Sequence, residues 1–127
     1  MKIAVAGVGY VGLVTAVTLA DVGHDVICLD VDKGKLKMLK EGISPIYEYG
    51  LEELMLKNRE RLEFTDDVTK YSEAQVIIIG VGTPEKEDGS ADLSAVFSAA
   101  DSIADNCSDG TVVVVKSTVP LGTWERV

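Results

Sequence analysis

The sequence has few of the residues that build metal centres and disulfide frameworks. It contains two cysteines, Cys28 and Cys107, and one histidine, His24, among 127 residues. The cysteines match neither a zinc-ligand spacing nor a Cys-x-x-Cys motif. Cys28 lies in an apolar run and Cys107 in a polar one, so both are expected to be free thiols. No metal site is therefore expected, and reduced thiols favour a cytoplasmic protein.

Basic residues and long apolar segments are scarce as well. Twelve Lys and Arg residues stand against 21 Asp and Glu residues without a basic cluster, so nucleic acid is not an expected partner. No apolar run is long enough to cross a bilayer, and no membrane partner is expected. The stretch from Ile3 to Ala20, preceded by Lys2, imitates a secretory signal. Glycines interrupt it and a strand-like segment follows it, which argues against a signal peptide.

Apolar runs and amphipathic segments alternate along the chain, in a composition that is 46% hydrophobic and 26% charged. Short runs rich in β-branched residues are typical of strands that are covered on both faces of a parallel sheet, and helical periodicity lies between them. The pattern predicts one α/β domain with a doubly wound parallel sheet of about five strands, in the order 3-2-1-4-5, with helices on both faces. The predicted strands are Ile3–Ala6, Val26–Leu29, Leu62–Thr65, Val76–Ile79 and Val112–Val115, and the predicted helices are Leu13–Val22, Lys33–Glu41, Leu51–Lys57, Asp66–Tyr71 and Asp92–Asp105.

The motif Gly7-x-Gly9-x-x-Gly12 lies between the first predicted strand and the first predicted helix. In that context Gly7 permits a tight turn, Gly9 leaves room for a pyrophosphate beside the backbone, and Gly12 lets the helix pack closely on the strand. The helix N-terminus adds free N–H groups and a partial positive charge, which attract phosphates. The motif predicts a dinucleotide-binding Rossmann domain. The alternative interpretation is a turn that only packs a helix on a sheet.

Asp30, at the end of the second predicted strand, indicates which dinucleotide binds. Its carboxylate can accept hydrogen bonds from both hydroxyls of the adenosine ribose and would repel a 2′-phosphate, so NAD is expected rather than NADP. Lys35 lies one helical turn into the next helix, where it either reaches the same ribose or remains a solvated surface lysine. Asp32, Thr65 and Thr123 are the predicted N-caps of the helices that follow them.

Two further segments end predicted strands on the same edge of the sheet as the glycine turn. They are Gly80–Pro84, after the fourth strand, and Lys116–Pro120, after the fifth. Ligands of open α/β sheets bind outside the carboxyl ends of the strands, where the strand order reverses. The hydroxyls of Thr83, Ser117 and Thr118 are therefore candidates to line the nicotinamide half of the crevice, although Ser and Thr also stabilise turns.

Six segments, in order, carry a resemblance that extends over the whole chain: MKIAVAGVGYVGLV, LDVDKGK, EGISPIYEYGLEEL, VGTP, DGSADLS and KSTVPLGT. Together they resemble the UDP-glucose/GDP-mannose dehydrogenase family, and KSTVP, DGSADLS and SPIYE look most like its UDP-glucose branch. The resemblance implies an oxidoreductase that converts the C6 alcohol of a UDP-sugar to a carboxylate in two NAD-dependent steps, through a cysteine-bound thiohemiacetal and thioester.

The resemblance also implies residue roles. The backbone N–H of Val11 would bind the pyrophosphate, and Asp30 and Lys35 would hold the adenosine ribose. Thr83 would contact the cofactor on the nicotinamide side. Thr118 would lie beside the reacting carbon in a supporting catalytic role, as a hydrogen-bond partner of a water or an oxyanion. Tyr10, at the start of the helix, either shapes the same pocket or only packs there.

The sequence departs from the family pattern in two respects. Tyr49 stands where the family usually has proline, which leaves the turn before Leu51 freer. The family's catalytic cysteine, lysine, asparagine and glutamates have no counterparts here, and neither Cys28 nor Cys107 matches the nucleophile. Because the chain also stops as a helix opens at Thr123, we expect a fragment without the central helix and the UDP-sugar-binding domain of a homodimeric enzyme.

Three alternatives remain at this stage. The chain is a free-standing NAD-binding or regulatory module, the cofactor domain of a dehydrogenase for GDP-mannose or a UDP-N-acetylhexosamine, or part of a β-hydroxyacid-type dehydrogenase. A further expectation concerns the last predicted strand. If no sixth strand covers Thr111–Val115, the open hydrophobic edge should promote self-association.

Overall fold

The computed structural model describes residues 1–127, and its centre is a five-stranded, all-parallel sheet in the order β3-β2-β1-β4-β5. This confirms the predicted fold class and strand order. The strands are β1 Lys2–Ala6, β2 Asp25–Leu29, β3 Leu62–Thr65, β4 Val76–Ile79 and β5 Val112–Val115. The helices are α1 Tyr10–Asp21, α2 Lys33–Lys40, α3 Leu51–Lys57, α4 Ser94–Asn106 and α5 Thr123–Arg126, with 3₁₀ helices at Arg59–Arg61 and Val68–Glu73.

The largest difference from the predicted elements is at the start of α1. The helix begins at Tyr10 rather than Leu13, with Gly9 as its N-cap, so the second half of the glycine motif is already the first helical turn. Gly7 has a φ of 101°, a left-handed value that favours glycine, so the chain begins to turn directly after β1. Because the turn starts there, the helix can begin three residues earlier than the apolar pattern predicts.

Other predicted helix boundaries were wrong because a neighbouring side chain or glycine makes the cap. The predicted helix after Thr65 is a 3₁₀ helix, Val68–Glu73, and its N-cap is Asp67, whose carboxylate accepts from the N–H of Thr69 at 3.0 Å. Thr123 is the first residue of α5, and Gly122 is the cap. The predicted cap Asp32 is confirmed, since its carboxylate accepts from the N–H of Lys35 at 3.1 Å.

Four further helix ends differ from the predictions by one or two residues. The helix α1 ends at Asp21, one residue before the predicted end, and α4 ends at Asn106, one residue after it. The helix α4 begins at Ser94 and not at Asp92, because the Asp92 carboxylate accepts hydrogen bonds from the N–H and the hydroxyl of Ser94 in a turn before the helix. The helix α2 ends at Lys40, one residue before the predicted end.

The core consists of two apolar layers, one on each face of the sheet. Helices α1, α2 and α3 contribute to one layer, and α4 and the 3₁₀ helix Val68–Glu73 contribute to the other. Side chains of the central strands alternate between the layers, so Val5 and Cys28 face the first and Ala4 and Ile27 face the second. Each large side chain buried in this way contributes about 1.5–3 kcal/mol. The two layers hold the carboxyl ends of β1, β2 and β4 together at one edge.

The two cysteines have different surroundings. Cys28 is fully buried in β2, and burial raises the pKa of its thiol to about 12. Cys107 is half-buried at the C-terminal end of α4, and both thiols are free. None of the helices has the length and apolar character that a membrane span requires.

Candidate cofactor-binding site

The glycine turn lies at the carboxyl end of β1, between β2 and β4, where the strand order reverses. A Cβ atom added to Gly12 would lie 1.9 Å from the carbonyl oxygen of Gly7, and one added to Gly7 would lie 3.0 Å from that of Gly80. Backbone therefore packs on backbone at both positions. The structure thus agrees with the close packing that the sequence assigned to Gly12.

Gly9 differs from its two partners, because a Cβ added there would meet no atom within 4 Å. The space beside it is open, and the first turn of α1 borders it. The N–H groups of Tyr10, Val11 and Gly12 donate to no protein acceptor, no side chain caps the helix, and its first turn has no acidic residue. Unpaired N–H groups beside open space at a helix N-terminus suit a pyrophosphate. The turn therefore fits the phosphates of a dinucleotide.

Asp30 follows β2 and is hydrogen-bonded to the glycine turn. Its Oδ2 accepts a hydrogen bond from the N–H of Val8 at 2.8 Å, and its Oδ1 accepts one from the N–H of Asp32 at 2.9 Å. These bonds orient the carboxylate, and each oxygen keeps a lone pair for another donor. The bond to Val8 also ties the end of β2 to the glycine turn, which sequence reasoning missed because the partners are 22 residues apart.

A mostly apolar cleft of about 250 Å³ opens beside Asp30. It lies between the ends of β1 and β2, the 3₁₀ helix Val68–Glu73 and residues 95–102 of α4. This volume is just below the usual range of about 300–1,000 Å³ for whole ligand pockets, so it suits one half of a dinucleotide. Sequence reasoning missed most of its walls. The missed residues include Val31, Val68, Tyr71, Ser98 and Ser102.

The segments after β4 and β5 lie at the same edge of the sheet, as predicted, and they are hydrogen-bonded to each other. The Thr83 hydroxyl donates to the carbonyl oxygen of Thr118 at 2.9 Å, and the Ser117 hydroxyl donates to that of Val81 at 2.7 Å. Ser117 is only 7% exposed, so its hydroxyl joins the two segments from inside. The Thr118 hydroxyl makes no hydrogen bond within the protein, and its side chain is exposed. Of the three, Thr118 is the most available to a ligand.

Tyr10 and Lys35 complete the set of candidate residues. The Tyr10 hydroxyl donates to Oε2 of Glu48 at 2.7 Å, and this bond to a negatively charged acceptor raises the pKa of Tyr10. Tyr10 therefore connects the start of α1 to the segment before α3, where Tyr49 is 95% exposed. Lys35 is half-buried on α2, and its ammonium group forms no ion pair with an acidic side chain.

Three features occur together: a glycine turn where the strand order reverses, an uncapped helix N-terminus beside open space, and an oriented carboxylate at the end of the next strand. This combination defines a dinucleotide-binding domain of the doubly wound α/β class. Residues 1–127 match the sequence pattern of the "UDP-glucose/GDP-mannose dehydrogenase family, NAD binding domain". The chain belongs to that family. Its cofactor is NAD, as the sequence predicted.

Individual relatives agree with this assignment. A UDP-glucose 6-dehydrogenase of Rhizobium meliloti (strain 1021) is 53% identical over 131 residues, which cover 100% of this chain and 30% of that protein. A UDP-glucose 6-dehydrogenase of Bacillus subtilis (strain 168) is 52% identical, with 97% and 29% covered. The crystal structure of a GDP-mannose dehydrogenase from Pseudomonas aeruginosa has a TM-score of 0.93 at 39% identity, with 100% and 30% covered. The chain thus spans about 30% of the length of these relatives.

Proposed function

We propose that this domain holds NAD for a UDP-glucose 6-dehydrogenase, in which a longer polypeptide supplies the nucleophilic cysteine and the UDP-sugar-binding domain. The observation that carries the proposal is the 53% identity to such an enzyme over the whole of this chain. The coverage of about 30% of that enzyme supports the view that residues 1–127 form one domain of a larger protein, which we propose to be a homodimer. NAD supplies the hydride acceptor for the oxidation of the C6 alcohol.

In this proposal the residues of the chain bind and orient. The N–H groups of Val11 and its neighbours bind the pyrophosphate, and Asp30 and Lys35 bind the adenosine ribose. Thr83 fixes the loop that carries Thr118, because its hydroxyl is bonded to the Thr118 carbonyl oxygen. The free hydroxyl of Thr118 then hydrogen-bonds a water or an oxyanion beside the reacting carbon. Ser117 supports the same loop from below.

The product of this reaction, UDP-glucuronate, is a precursor for polysaccharide biosynthesis, and we place the protein in the cytoplasm because its two cysteines are free thiols. A GDP-mannose dehydrogenase is the second candidate, since a structure of that activity superposes with a TM-score of 0.93. Assay of the longer protein with both nucleotide sugars separates the two. Oxidation of GDP-mannose but not of UDP-glucose would decide for the second.

Calorimetry with the purified chain tests the proposal. We expect NAD to bind weakly, because this domain forms only one side of the cofactor crevice in the proposed enzyme, and to bind more tightly than NADP, because the Asp30 carboxylate repels a 2′-phosphate. We also expect no formation of NADH from NAD and UDP-glucose, since no cysteine of this chain has the nucleophile's place. A preference for NADP, or NADH production by the chain alone, would contradict the proposal.

We further propose that the chain self-associates through the edge Thr111–Val115. In the strand β5, Val112, Val113 and Val114 are 56%, 39% and 42% exposed, and β4 is its only neighbour in the sheet. An unpaired apolar edge recruits a strand of another copy. Sedimentation should therefore depend on concentration, and Val112→Lys should reduce the dependence because an edge lysine opposes pairing. The control is Val22→Lys, at a valine that is 68% exposed after α1. A monomer at high concentration would exclude this contact.

A further inference from the structure

Tyr71 is a buried side chain with an unpartnered polar atom. It is only 4% exposed and packs in the apolar layer beneath α4. Its hydroxyl forms no hydrogen bond within the protein. Every side-chain nitrogen or oxygen that is fully buried does have a hydrogen-bond partner. The Tyr71 oxygen is therefore not fully buried and must reach open space. The residue lines the cleft beside Asp30, so the hydroxyl lies at the floor of that cleft.

The hydroxyl is a donor under all ordinary conditions. Burial, together with the negative charge of nearby Asp30, raises the pKa of Tyr71 to about 12. At neutral pH the phenol therefore keeps its proton. A neutral phenol that has no acceptor in the protein can donate that proton to an acceptor on a ligand.

The rest of the cleft is suited to a flat, largely apolar group. Val31 and Val68 line the cleft and are 94% and 40% exposed, so a ligand bound there would remove apolar surface from water. Ala95 and Ala99 of α4 form the opposite wall. A purine ring offers an apolar face for these side chains and ring nitrogens as acceptors. The ribose offers further oxygen acceptors close to Asp30.

We propose that the Tyr71 hydroxyl donates a hydrogen bond to an acceptor on the adenosine half of the bound dinucleotide, which makes Tyr71 a cofactor-binding residue in addition to Asp30 and the glycine turn. The inference rests on the proposed function, because it takes NAD as the ligand of this cleft. It adds a contact from the floor of the cleft, which neither the glycine motif nor the resemblance includes. In the proposed complex Asp30 accepts hydrogen bonds from the ribose, and Tyr71 donates one to the adenosine half.

The test is Tyr71→Phe, which removes one oxygen atom and keeps the ring in the core. Loss of one neutral hydrogen bond should weaken binding of both NAD and ADP-ribose by the same factor, about three- to tenfold in calorimetry. ADP-ribose contains the adenosine half and lacks nicotinamide, so equal losses locate the contact on the shared half. The matched control is Tyr47→Phe, at a tyrosine that is 97% exposed and outside the cleft, and it should change neither affinity.

A thermal melt separates this role from a structural one. Because the Tyr71 hydroxyl has no protein partner, Tyr71→Phe should leave the Tm of the free chain unchanged and should reduce only the increase in Tm that ADP-ribose produces. An unchanged affinity for ADP-ribose, or a loss confined to NAD, would overturn the inference and leave the proposed function intact. A wild-type chain that binds neither ligand would instead overturn the proposed function and the inference with it.

Discussion

Replacement of Gly12 by alanine should lower the free energy of unfolding by at least about 3 kcal/mol, the upper end of what overpacking usually costs. The added Cβ would lie 1.9 Å from the carbonyl oxygen of Gly7 and 2.9 Å from its carbonyl carbon. Those atoms are backbone, so they cannot rotate away as a side chain can. Either α1 moves off the sheet or the turn at Gly7 is distorted, and both change the most buried part of the core. Urea denaturation followed by circular dichroism measures the loss.

The matched control for Gly12→Ala is Gly9→Ala in the same turn. Gly9 has a φ of −72°, which alanine adopts freely, and its added Cβ would meet no atom within 4 Å. We expect wild-type stability from this variant and a loss of NAD affinity of at least about tenfold, or 1.4 kcal/mol, because the methyl group enters the space that the pyrophosphate needs. Equal stability of the two variants would contradict the packing role of Gly12, and undiminished NAD binding by Gly9→Ala would exclude the turn as the phosphate site.

Replacement of Asp30 by alanine should have two separate effects. The N–H of Val8, a residue with no exposed surface, loses its only acceptor, and an unsatisfied buried N–H costs about 1–3 kcal/mol of stability. The preference for NAD over NADP should also become smaller, because no carboxylate remains to bind the ribose hydroxyls or to repel a 2′-phosphate. Denaturation measures the first effect, and calorimetry with both dinucleotides measures the second.

Asp30→Asn separates those effects, since an amide oxygen can still accept from Val8 while the negative charge is gone. We expect this variant to recover most of the stability that Asp30→Ala loses and to show the same reduced preference for NAD. If both variants kept the wild-type preference, Asp30 would not be the residue that discriminates between the dinucleotides. If Asp30→Ala were as stable as the wild type, the bond to Val8 would contribute nothing to the fold.

The strands were predictable because each is a short run with a local signature. Three of the five, β3, β4 and β5, have the predicted bounds, and the other two begin one residue early. Helix ends were less predictable, since several residues within a few positions compete for each cap. Asp67 is the N-cap where Thr65 was predicted, and Gly122 is the N-cap where Thr123 was predicted. The dinucleotide motif was recognisable because Gly7, Gly9, Gly12 and Asp30 keep a fixed spacing around a strand and a helix.

Local pattern and spacing were therefore enough to predict the class of fold and the cofactor, and the resemblance of six segments identified the family. Contacts between distant segments were not accessible in that way. The cleft depends on Val31, Tyr71 and Ser98, which belong to a loop, a 3₁₀ helix and an α-helix and carry no common motif. The bond from Val8 to Asp30 and the burial of Ser117 likewise exist only once the sheet has formed. Burial and hydrogen bonding depend on what lies opposite a side chain in space, and that is decided by the packing of the whole domain.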